Sequence, residues 1–470
     1  MKTIKKIDVM RQKVKAIHFV GIGGIGMSGI AEVLLNLGYK VSGSDIAQSD
    51  VTKRLKKLGA KVCISHKVSN VGNADVVVTS TAVRADNPEV LIAQAKGIPV
   101  IPRAEMLAEL LKMKFSVAVS GSHGKTTTTS MVSTILAHGG FDPTMVIGGK
   151  LSSIGSNAKI GSGEIIIAEA DESDRSFLKL SPTIAVITNI DLEHVDHYAD
   201  LDDIKDAFTK FANIVPFYGA TVVFSDDKNT KAILPNIKRR IITCGMTAKS
   251  DYWATAVEAN GYASKFSFYK GDESLGDFEL NVPGRFNVHN ALLSIAVTLE
   301  LGMPLEKVRA GLKAFAGVHR RLEIKGEAKG IRVVDDYGHH PTEIRETLLA
   351  TKKAWPTGKK IVVFQPHRYT RTKGLFDEFL TCFKCADTLV LMDIYAANEE
   401  PIAGITTEIL CEEIRKAGHN DVCHISDSEE IVKYLLKVAK AGDTIVTQGA
   451  GSVYKIGEAF LKRVNVRMKK

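Results

Sequence analysis

The sequence predicts an α/β protein with three domains, each built on a mostly parallel sheet. Three observations support this prediction. A chain of 470 residues is too long for one hydrophobic core and fits about three domains of ordinary size. Short apolar runs alternate with helical patterns along most of the chain, as they do in βαβ units. Two glycine-rich stretches each lie between an apolar run and a helical pattern.

The predicted strands suggest where the domains begin and end. We place the first domain at residues 1–113, the central domain at 114–318 and the C-terminal domain at 319–470. In the first domain the predicted strands are 15–20, 40–43, 61–65, 76–79 and 99–101. In the central domain they are 115–119, 164–168, 184–188 and 221–224, and in the third they are 331–334, 361–364, 388–392, 424–426 and 444–447. The alternation with helices predicts doubly wound, Rossmann-like sheets in the first and third domains.

Composition is that of a soluble globular protein. Hydrophobic residues make up 45% of the chain and charged residues 24%, both ordinary values. Lysines and an arginine interrupt residues 2–15, so a signal peptide is not expected. No segment offers the roughly 18 continuous apolar residues of a membrane span. We therefore expect a cytoplasmic protein without membrane insertion.

The net charge of +9 is mildly basic, and the basic residues are scattered along the chain. No basic run interleaved with aromatic residues suggests a nucleic-acid surface. A mild positive field suits small anionic substrates equally well. We therefore expect small anionic ligands and no nucleic-acid partner.

The cysteines do not predict a disulfide framework, because there are only six in 470 residues. Cys382 and Cys385 have the spacing of a metal or redox pair, but no second close pair accompanies them. We expect free thiols.

The first glycine-rich turn is a complete Gly-x-Gly-x-x-Gly over residues 21–26. It follows the predicted strand 15–20 and precedes the predicted helix 27–37, and Asp45 closes the second strand. This is the dinucleotide fingerprint in its proper context, and it predicts a bound diphosphate. A UDP-sugar satisfies the motif as well as NAD does. The candidate UDP-sugar ligands are Gly23, Gly24, Ile25, Gly26, Ser44, Asp45, Ser80 and Thr81.

The second glycine-rich turn, residues 120–126, lies between the strand 115–119 and the predicted helix 127–137. Glycines let backbone N–H groups face phosphate oxygens, Lys125 can reach the β and γ phosphates, and Thr126 can ligate Mg²⁺. Val119 stands where a standard P-loop has glycine, so the motif is a shortened form. The alternative is an ordinary turn with a surface lysine. The predicted ATP ligands here are Gly121, Ser122, His123, Gly124, Lys125, Thr126 and Thr127.

Acidic residues follow the next two central strands. Four carboxylates, Glu169, Asp171, Glu172 and Asp174, come after the strand 164–168. Their mutual repulsion favours a bound cation, and Glu169 with Thr126 is the predicted Mg²⁺ site. The alternative is a solvated acidic loop that caps a helix. His194, between acids beyond the strand 184–188, is a candidate for a second Mg²⁺ or, equally, for a hydrogen-bonding role, because Mg²⁺ prefers oxygen.

Further candidates lie at later strand and helix ends. Asn287 and Asn290 share one face of a predicted helix and can bind an adenine edge or cap the helix. Residues 335–341 follow a strand and precede a helix, which exposes polar groups at the sheet edge. Arg368 and Arg371 follow the next strand and can clamp a carboxylate or neutralise a phosphoryl group; an exposed basic loop is the alternative.

Together these stretches resemble the Mur ligase family, the ATP-dependent amino-acid-adding enzymes of peptidoglycan synthesis. The resemblance covers nearly the whole chain and is most specific in HFVGIGGIGMSG (18–29), GSHGKT (121–126), EADESD (169–174), DDYGHHPT (335–342) and QPHRYTR (365–371). It implies a first domain that binds the UDP part of UDP-N-acetylmuramate, a P-loop ATPase-like central domain that binds ATP and Mg²⁺, and a C-terminal domain that brings the amino acid and closes over both. The resemblance is greatest to the members that add L-alanine.

The resemblance also implies roles for individual residues. Lys125 and Thr126 match the triphosphate and metal ligands, Glu169 matches a ligand of the first Mg²⁺, and His194 matches a ligand of a second Mg²⁺. Asn287 and Asn290 match the adenine-binding pair, and Arg320 or Arg321 with Asp336 match positions near the ATP phosphates and ribose. Tyr337, His339, Arg368 and Arg371 match the pocket for L-alanine and the reacting carboxylate.

The implied reaction passes through an acyl phosphate, and His339 is the candidate acceptor of the ammonium proton. Phe286 departs from the family pattern, because better-known relatives often have histidine there, and no carbamoylated lysine is predicted. Three alternatives stay open at this point: a murein peptide ligase that attaches a preformed peptide, a nicotinamide dehydrogenase and a non-catalytic nucleotide-binding protein. We expect a monomer or a weak homodimer.

Overall fold

A computed structural model describes residue 10 and residues 13–80, 82–147, 158–193 and 197–467. The chain divides into two compact units. The first contains the described residues up to Trp253, together with Tyr269–Glu273 and His289–Ala314. The second contains Ala254–Phe268, Ser274–Val288 and the described residues from Phe315 onward.

The first sheet of the first unit is parallel, with strand order β3-β2-β1-β4-β5. Its strands are β1 Ala16–Val20, β2 Lys40–Asp45, β3 Lys61–Ile64, β4 Val76–Thr79 and β5 Val100–Pro102. Its helices are α1 Ile25–Asn36, α2 Asp50–Lys57, α3 Pro88–Ala95 and α4 Arg103–Lys112. The strand order reverses between β1 and β4, and ligands of open α/β sheets bind at such a point.

Local sequence explains where these helices begin. Ser49 caps α2, because its side chain accepts a hydrogen bond from the Thr52 N–H while Thr52 returns one to Ser49. Asn87 caps α3, because its side chain accepts a hydrogen bond from the Glu89 N–H, and Pro88 follows at the first helical position. Both residue types are favoured at these positions because they satisfy amides that have no partner within the helix.

The central sheet of the first unit has strand order β8-β7-β9-β6-β10-β11-β12, with only the β7–β8 pair antiparallel. Its strands are β6 Phe115–Ser120, β7 Thr144–Val146, β8 Ala158–Lys159, β9 Ile165–Glu169, β10 Ile184–Ile187, β11 Ala220–Phe224 and β12 Ile241–Gly245. Its helices are α5 Lys125–His138, α6 Leu201–Ile214 and α7 Lys228–Ile233. Strands β10 and β11 are buried along their whole length, as expected for parallel strands covered on both faces.

Three strands that the sequence analysis did not predict follow β12. They are β13 Tyr252–Asn260, β14 Ala263–Lys270 and β15 Glu273–Leu280. Gly261 and Gly271 have positive φ angles in the two connections, as tight turns between neighbouring strands often require. Two helices come next, α8 Arg285–Glu300 and α9 Leu305–Lys313.

The second unit contains a six-stranded sheet with order β16-β17-β21-β18-β19-β20, in which only β16 is antiparallel to its neighbour. The strands are β16 Glu323–Ala328, β17 Ile331–Asp336, β18 Lys360–Phe364, β19 Thr388–Leu391, β20 Val422–His424 and β21 Thr444–Gln448. The helices are α10 Pro341–Ala354, α11 Tyr369–Gly374, α12 Phe376–Phe379, α13 Thr407–Lys416, α14 Ser428–Val438 and α15 Tyr454–Arg467.

The structure confirms the α/β class, adds β7, β8, β12 and β16, which were not predicted either, and corrects the position of one predicted strand. The sequence predicted a strand at 424–426, but β20 ends at His424. Asp427 caps α14, because its side chain accepts a hydrogen bond from the Glu430 N–H, so the preceding residues belong to the turn that enters this helix. The six cysteines are free thiols, as expected. Within the described ranges, no helix has both the length and the apolar character needed to cross a membrane.

Candidate active site

The turn between β6 and α5 has the geometry of a phosphate-binding loop. Gly121 and Gly124 have φ angles of 133° and 84°, which favour glycine. A Cβ at Gly121 would lie 2.0 Å from Thr188 Oγ1, and one at Gly124 would lie 2.5 Å from Asn290 Oδ1. The absent side chains therefore let the loop pass close to its neighbours and present the first turn of α5.

Residues at the end of β10 hold this loop in place. Thr188 Oγ1 and Asn189 Nδ2 both donate to the carbonyl oxygen of His123, at 2.5 and 3.0 Å. The His123 N–H donates to Asn189 Oδ1 at 2.9 Å, and the Asp191 N–H donates to Ser122 Oγ at 2.8 Å. The sequence analysis gave Thr188, Asn189 and Asp191 no role. Their position after a buried parallel strand is the sequence signal that could have identified them.

Lys125 is the first residue of α5, and its ammonium group bonds back to the phosphate-binding loop. Its Nζ donates to the carbonyl oxygens of Gly121 and Ser122 at 2.6 and 3.0 Å, and to Glu172 Oε1 at 2.8 Å. Burial lowers the pKa of Lys125, but the negative charges of Glu172, Glu193 and Glu169 outweigh burial and raise the pKa above its usual value. The ammonium group is therefore positively charged and is held against the loop.

Thr126 and Glu169 lie together, as the sequence predicted for a metal site. Thr126 Oγ1 donates to both carboxylate oxygens of Glu169 at 3.0 Å. A hydroxyl and a carboxylate at the mouth of a phosphate loop are the oxygen ligands that Mg²⁺ prefers, so these residues fit that ion. His194, the predicted ligand of a second Mg²⁺, lies outside the described residues.

The other acidic residues after β9 have partners of different kinds. Asp171 accepts a hydrogen bond from Arg103 Nη2 at 3.1 Å and from the Ser173 N–H at 3.1 Å. Burial raises the pKa of Asp171, but the hydrogen bond from Ser173 and the charges of Lys125 and Arg103 lower it further than burial raises it. Asp174 accepts from the Ser176 N–H at 3.0 Å, which is a local hydrogen bond within the loop after β9.

The first glycine turn approaches Asp45 as the fingerprint requires. The Gly23 N–H donates to Asp45 Oδ2 at 2.8 Å, and a Cβ at Gly23 would lie 2.7 Å from the same oxygen. Gly24 precedes α1, whose first turn contains Ile25 and Gly26. Thr81 lies outside the described residues, and Ser80 is half-buried at the end of β4.

Ser44 belongs to a buried polar cluster that the sequence analysis missed. Its hydroxyl donates to Glu89 and also contacts His66 Nδ1 at 2.9 Å. Burial raises the pKa of Glu89, but hydrogen bonds from His18, Ser44 and neighbouring groups lower it to about 2. Glu89 is therefore an ionised carboxylate that fixes Ser44 at the end of β2.

The two asparagines of α8 have different surroundings. Asn287 Nδ2 donates to the carbonyl oxygen of Pro283 at 2.7 Å, which is a local interaction at the start of the helix. Asn290 lies beside Gly124, and the ring of the adjacent His289 stacks on Phe224 at 4.2 Å between centroids. The phosphate loop, Asn290 and this ring pair thus lie in the same unit.

In the second unit, Asp336 and Arg320 are held by the framework of the sheet. Asp336 accepts hydrogen bonds from the Leu322 and Gly338 N–H groups, both at 2.8 Å, and burial raises its pKa. Arg320 Nε donates to Asp335 Oδ2 at 2.9 Å, and its Nη2 donates to the Gly449 carbonyl oxygen at 2.6 Å. Both residues fix the loop that leads into Tyr337.

Arg321 faces a different neighbour from Arg320. Its guanidinium carbon lies 5.3 Å from the centre of the Tyr337 ring, and its Nη1 is 3.6 Å from Glu343 Oε1. His339 Nδ1 lies 3.1 Å from the carbonyl oxygen of Tyr337, and the His339 N–H donates to Glu343 Oε2 at 3.0 Å. The structure thus brings Arg321, Tyr337 and His339 together.

The loops after β17 and β18 also meet. The His339 ring lies 5.6 Å from the His367 ring, which stacks on Tyr395 at 5.4 Å. Arg371 Nη1 is 3.1 Å from His367 Nδ1, and Arg368 Nε is 3.7 Å from Glu399 Oε1. The predicted residues His339, Arg368 and Arg371 therefore share one end of the sheet.

His367, Tyr395 and Glu399 were missed by the sequence analysis. Burial, reinforced by the positive charges of Arg371 and Arg368, lowers the pKa of His367 to about 4. The ring is therefore neutral near pH 7, and its Nδ1 accepts a hydrogen bond from Arg371. Its position beside Arg368, directly after β18, was the available signal; Tyr395 and Glu399 follow β19 by several residues and offered none.

Comparison with known proteins covers nearly the whole chain. Residues 16–115 match the model described as Mur ligase family, catalytic domain, residues 119–298 the Mur ligase middle domain, and residues 320–451 the Mur ligase, glutamate ligase domain. The chain is 60% identical over 464 residues to UDP-N-acetylmuramate--L-alanine ligase of Syntrophus aciditrophicus, covering 99% of this chain and 96% of that one.

Two solved structures have the same architecture. The crystal structure of UDP-N-acetylmuramate-alanine ligase from Thermotoga maritima is similar with a TM-score of 0.82 and 31% identity, covering 97% of this chain and 100% of that chain. A murein peptide ligase from Psychrobacter arcticus is similar with a TM-score of 0.69 and 26% identity, covering 96% and 98%. With its three matched domains and a relative this similar over almost its full length, the chain belongs to the Mur ligase family.

Proposed function

We propose that this protein is an ATP-dependent ligase that joins L-alanine to the lactoyl carboxylate of UDP-N-acetylmuramate, a step of peptidoglycan precursor synthesis. The observation that supports it most is that each of the two units contains a chemically distinct set of groups. One is a phosphate loop with Lys125, Thr126 and Glu169; the other contains Arg371 and His339 beside a neutral histidine. The 60% identical relative from Syntrophus aciditrophicus is named UDP-N-acetylmuramate--L-alanine ligase, which is this activity.

The first step is phosphoryl transfer. A carboxylate oxygen of UDP-N-acetylmuramate attacks the γ-phosphorus of ATP, the bond to the β–γ bridging oxygen breaks, and ADP leaves an acyl phosphate behind. Two anions meet in this step, so cationic groups must offset their repulsion. Lys125 supplies a fixed charge in the loop, and on triphosphate binding its contacts with Gly121 and Ser122 give way to phosphate oxygens.

Thr126 and Glu169 would hold Mg²⁺, and we assign His194, as predicted from the sequence, to a second Mg²⁺. When bound, this ion would neutralise charge on the phosphate oxygens. Asn287 and Asn290 are our proposed adenine ligands. The UDP-sugar would occupy the turn at Gly23, Gly24, Ile25 and Gly26, with Ser44, Asp45, Ser80 and Thr81 around it. We assign these roles to domains at residues 1–113, 114–318 and 319–470.

The second step is amide formation. The alanine nitrogen attacks the acyl carbon, a tetrahedral oxyanion forms, and phosphate leaves. We assign Arg368 and Arg371 to the alanine carboxylate and to the developing negative charge. His339 is the proposed acceptor of the proton from the alanine ammonium, and Tyr337 lines its pocket. Arg320, Arg321 and Asp336 fix the loop that holds these groups and are the family positions near the ATP phosphates and ribose.

A coupled assay for ADP release tests this proposal. Purified protein is given ATP, Mg²⁺ and UDP-N-acetylmuramate, with either L-alanine or the preformed tripeptide as second substrate. We expect release that requires both UDP-N-acetylmuramate and L-alanine. Preference for the tripeptide would assign the protein to peptide attachment instead, and no release with either substrate would favour a non-catalytic nucleotide-binding protein.

A further inference from the structure

Arg103 connects the two nucleotide-binding loops of the first unit. It is the first residue of α4, directly after β5. A Cβ at Gly26 would lie 2.4 Å from Arg103 Nη1 and 3.1 Å from its Cδ and Cζ, so the guanidinium lies against the first turn of α1. Its other terminal nitrogen, Nη2, donates to Asp171 Oδ2 at 3.1 Å. One side chain therefore touches the diphosphate turn and the acidic loop beyond β9.

The position of this guanidinium is electrostatically unfavourable without an anion. The N-terminal end of a helix carries a partial positive charge, and a cation placed there is destabilising by itself. The first turn of α1 contains no acidic residue, and its N-cap is Gly24. Asp171 is the carboxylate that holds Arg103 in this position, and it is in turn oriented by the Ser173 N–H.

We propose that Arg103 binds an anionic oxygen of the UDP-sugar at the first turn of α1, and that Asp171 of the ATP-side loop is the residue that positions it. This inference rests on the function proposed above and deepens it. The glycine at position 26 leaves the space that the guanidinium occupies, and Arg103 offers further N–H groups besides the one used by Asp171. The side chains of Arg103 and Asp171 are 26% and 41% exposed, so substrate can reach them.

Asp171 lies on the ATP side but should affect UDP-sugar binding. A residue of the loop next to Lys125 and Glu172 should control affinity for the other nucleotide. Asp171→Asn keeps the shape of the side chain but removes the charge that orients the guanidinium. It should weaken UDP-sugar binding, and the effect should vanish in a protein that already lacks Arg103.

Binding of UDP-N-acetylmuramate, UDP-N-acetylglucosamine and UDP by isothermal titration tests this. In Arg103→Met we expect the Kd for UDP-N-acetylmuramate to rise about 10-fold to 100-fold, as for loss of a charged hydrogen bond, with partial recovery in Arg103→Lys. Asp171→Asn should raise it by a smaller factor, and the double variant should bind as Arg103→Met does. KM for UDP-N-acetylmuramate should rise in the same variants with little change in KM for ATP.

The three ligands identify the oxygen that Arg103 binds. Equal weakening for all three assigns the diphosphate, whereas weakening confined to UDP-N-acetylmuramate assigns the lactoyl carboxylate; either result supports the inference. The matched control is the ion pair between Arg54 Nη2 and Glu32 Oε1 at 2.6 Å, in which Arg54→Met should leave all three Kd values unchanged. Thermal melting of each variant excludes general unfolding.

Two results would overturn the inference. An unchanged Kd in Arg103→Met would remove Arg103 from the UDP-sugar site. Independent, additive losses in Arg103→Met and Asp171→Asn would show that Asp171 does not act through Arg103. Failure of the wild-type protein to bind any of the three ligands would instead contradict the proposed function, so the two failures are distinguishable.

Discussion

Lys125 is the residue on which the phosphoryl-transfer step depends most. Its ammonium group is held by Gly121, Ser122 and Glu172, and these contacts fix it in the phosphate loop. Lys125→Ala should lower kcat by about 1000-fold, because a preorganised charge at the transferring group is lost. UDP-sugar affinity should stay within about twofold, since the glycine turn at residues 21–26 is a separate element.

ADP release and UDP-sugar titration on the same preparation measure both effects. Lys112→Ala is a suitable control, because Lys112 forms an exposed ion pair with Glu109. Loss of both activity and UDP-sugar binding in a folded Lys125 variant would show that the two sites are not separable.

His367 makes stability depend on pH. Its pKa in the folded protein is about 4, below the value of about 6.5 for an unfolded chain. Between these two pKa values the His367 ring is protonated in the unfolded state but not in the folded state. The free energy of unfolding therefore decreases as pH falls from about 6.5 towards 4. Between pH 7 and 5 this decrease is about 2 kcal/mol.

His367→Asn should remove this part of the pH dependence, because asparagine still offers Arg371 an acceptor oxygen but does not titrate. Urea unfolding at pH 5 and 7 measures the difference in the free energy of unfolding for both proteins. An equal difference in the variant and the wild type would show that His367 does not titrate between folded and unfolded states in this range.

The sequence predicted the residues with a chemical role better than it predicted the residues that hold them in place. Lys125, Thr126 and Glu169 were identified because motif and position after a strand both pointed to them, and the structure brings them together. Thr188 and Asn189 were given no role, although they hold the loop, since their partners are 65 residues or more away in the chain. Such long-range hydrogen bonds depend on which strands are neighbours in the sheet, and this order cannot be read from a single sequence.

At the scale of elements, the phosphate loop depends on glycine at position 121. Gly121→Ala combines a φ of 133° with a Cβ 2.0 Å from Thr188 Oγ1. We expect a loss of about 2 kcal/mol or more in the free energy of unfolding, together with weaker ATP binding.

Gly59→Ala is the matched control for Gly121→Ala. Gly59 also has a positive φ, 103°, but nothing lies within 4 Å of an added Cβ. The control should therefore show only the backbone strain, about 1 kcal/mol, with unchanged ATP binding. Equal losses in the two variants would mean that close packing against Thr188 contributes nothing.

Most of the parallel strands were predicted from the sequence, but β7 and β12 were not, and neither were β8, β13, β14, β15 and β16. The parallel strands are short, apolar and followed by helical patterns, so their burial is visible in the composition of each run. In β14, buried residues alternate with half-buried or exposed ones, and the buried Phe266 and Phe268 are separated by the half-buried Ser267. Such alternation is a weaker signal, and no catalytic motif drew attention to this stretch. The strand predicted at 424–426 was wrong, because β20 ends at His424 and the next residues form the turn that leads to Asp427, the N-cap of α14.

At the scale of the whole molecule, the fold class and the three-domain architecture followed from the spacing of motifs along the chain. Each motif lies at the end of a parallel strand, and the edges of such sheets are where α/β proteins bind ligands. The partnership of Arg103 with Asp171 did not follow, because it joins residues 68 positions apart, one at the start of α4 and the other in the loop after β9. Relations between loops are the part of the site that only the folded chain shows.

The central claim is that the sugar carboxylate is activated as an acyl phosphate before alanine attacks. It is tested most directly with UDP-N-acetylmuramate labelled with ¹⁸O in the lactoyl carboxylate, turned over with ATP, Mg²⁺ and L-alanine. The account predicts that one labelled oxygen per turnover appears in the inorganic phosphate, because the oxygen that attacks the γ-phosphorus leaves with it. Amide product accompanied by unlabelled phosphate would contradict the account.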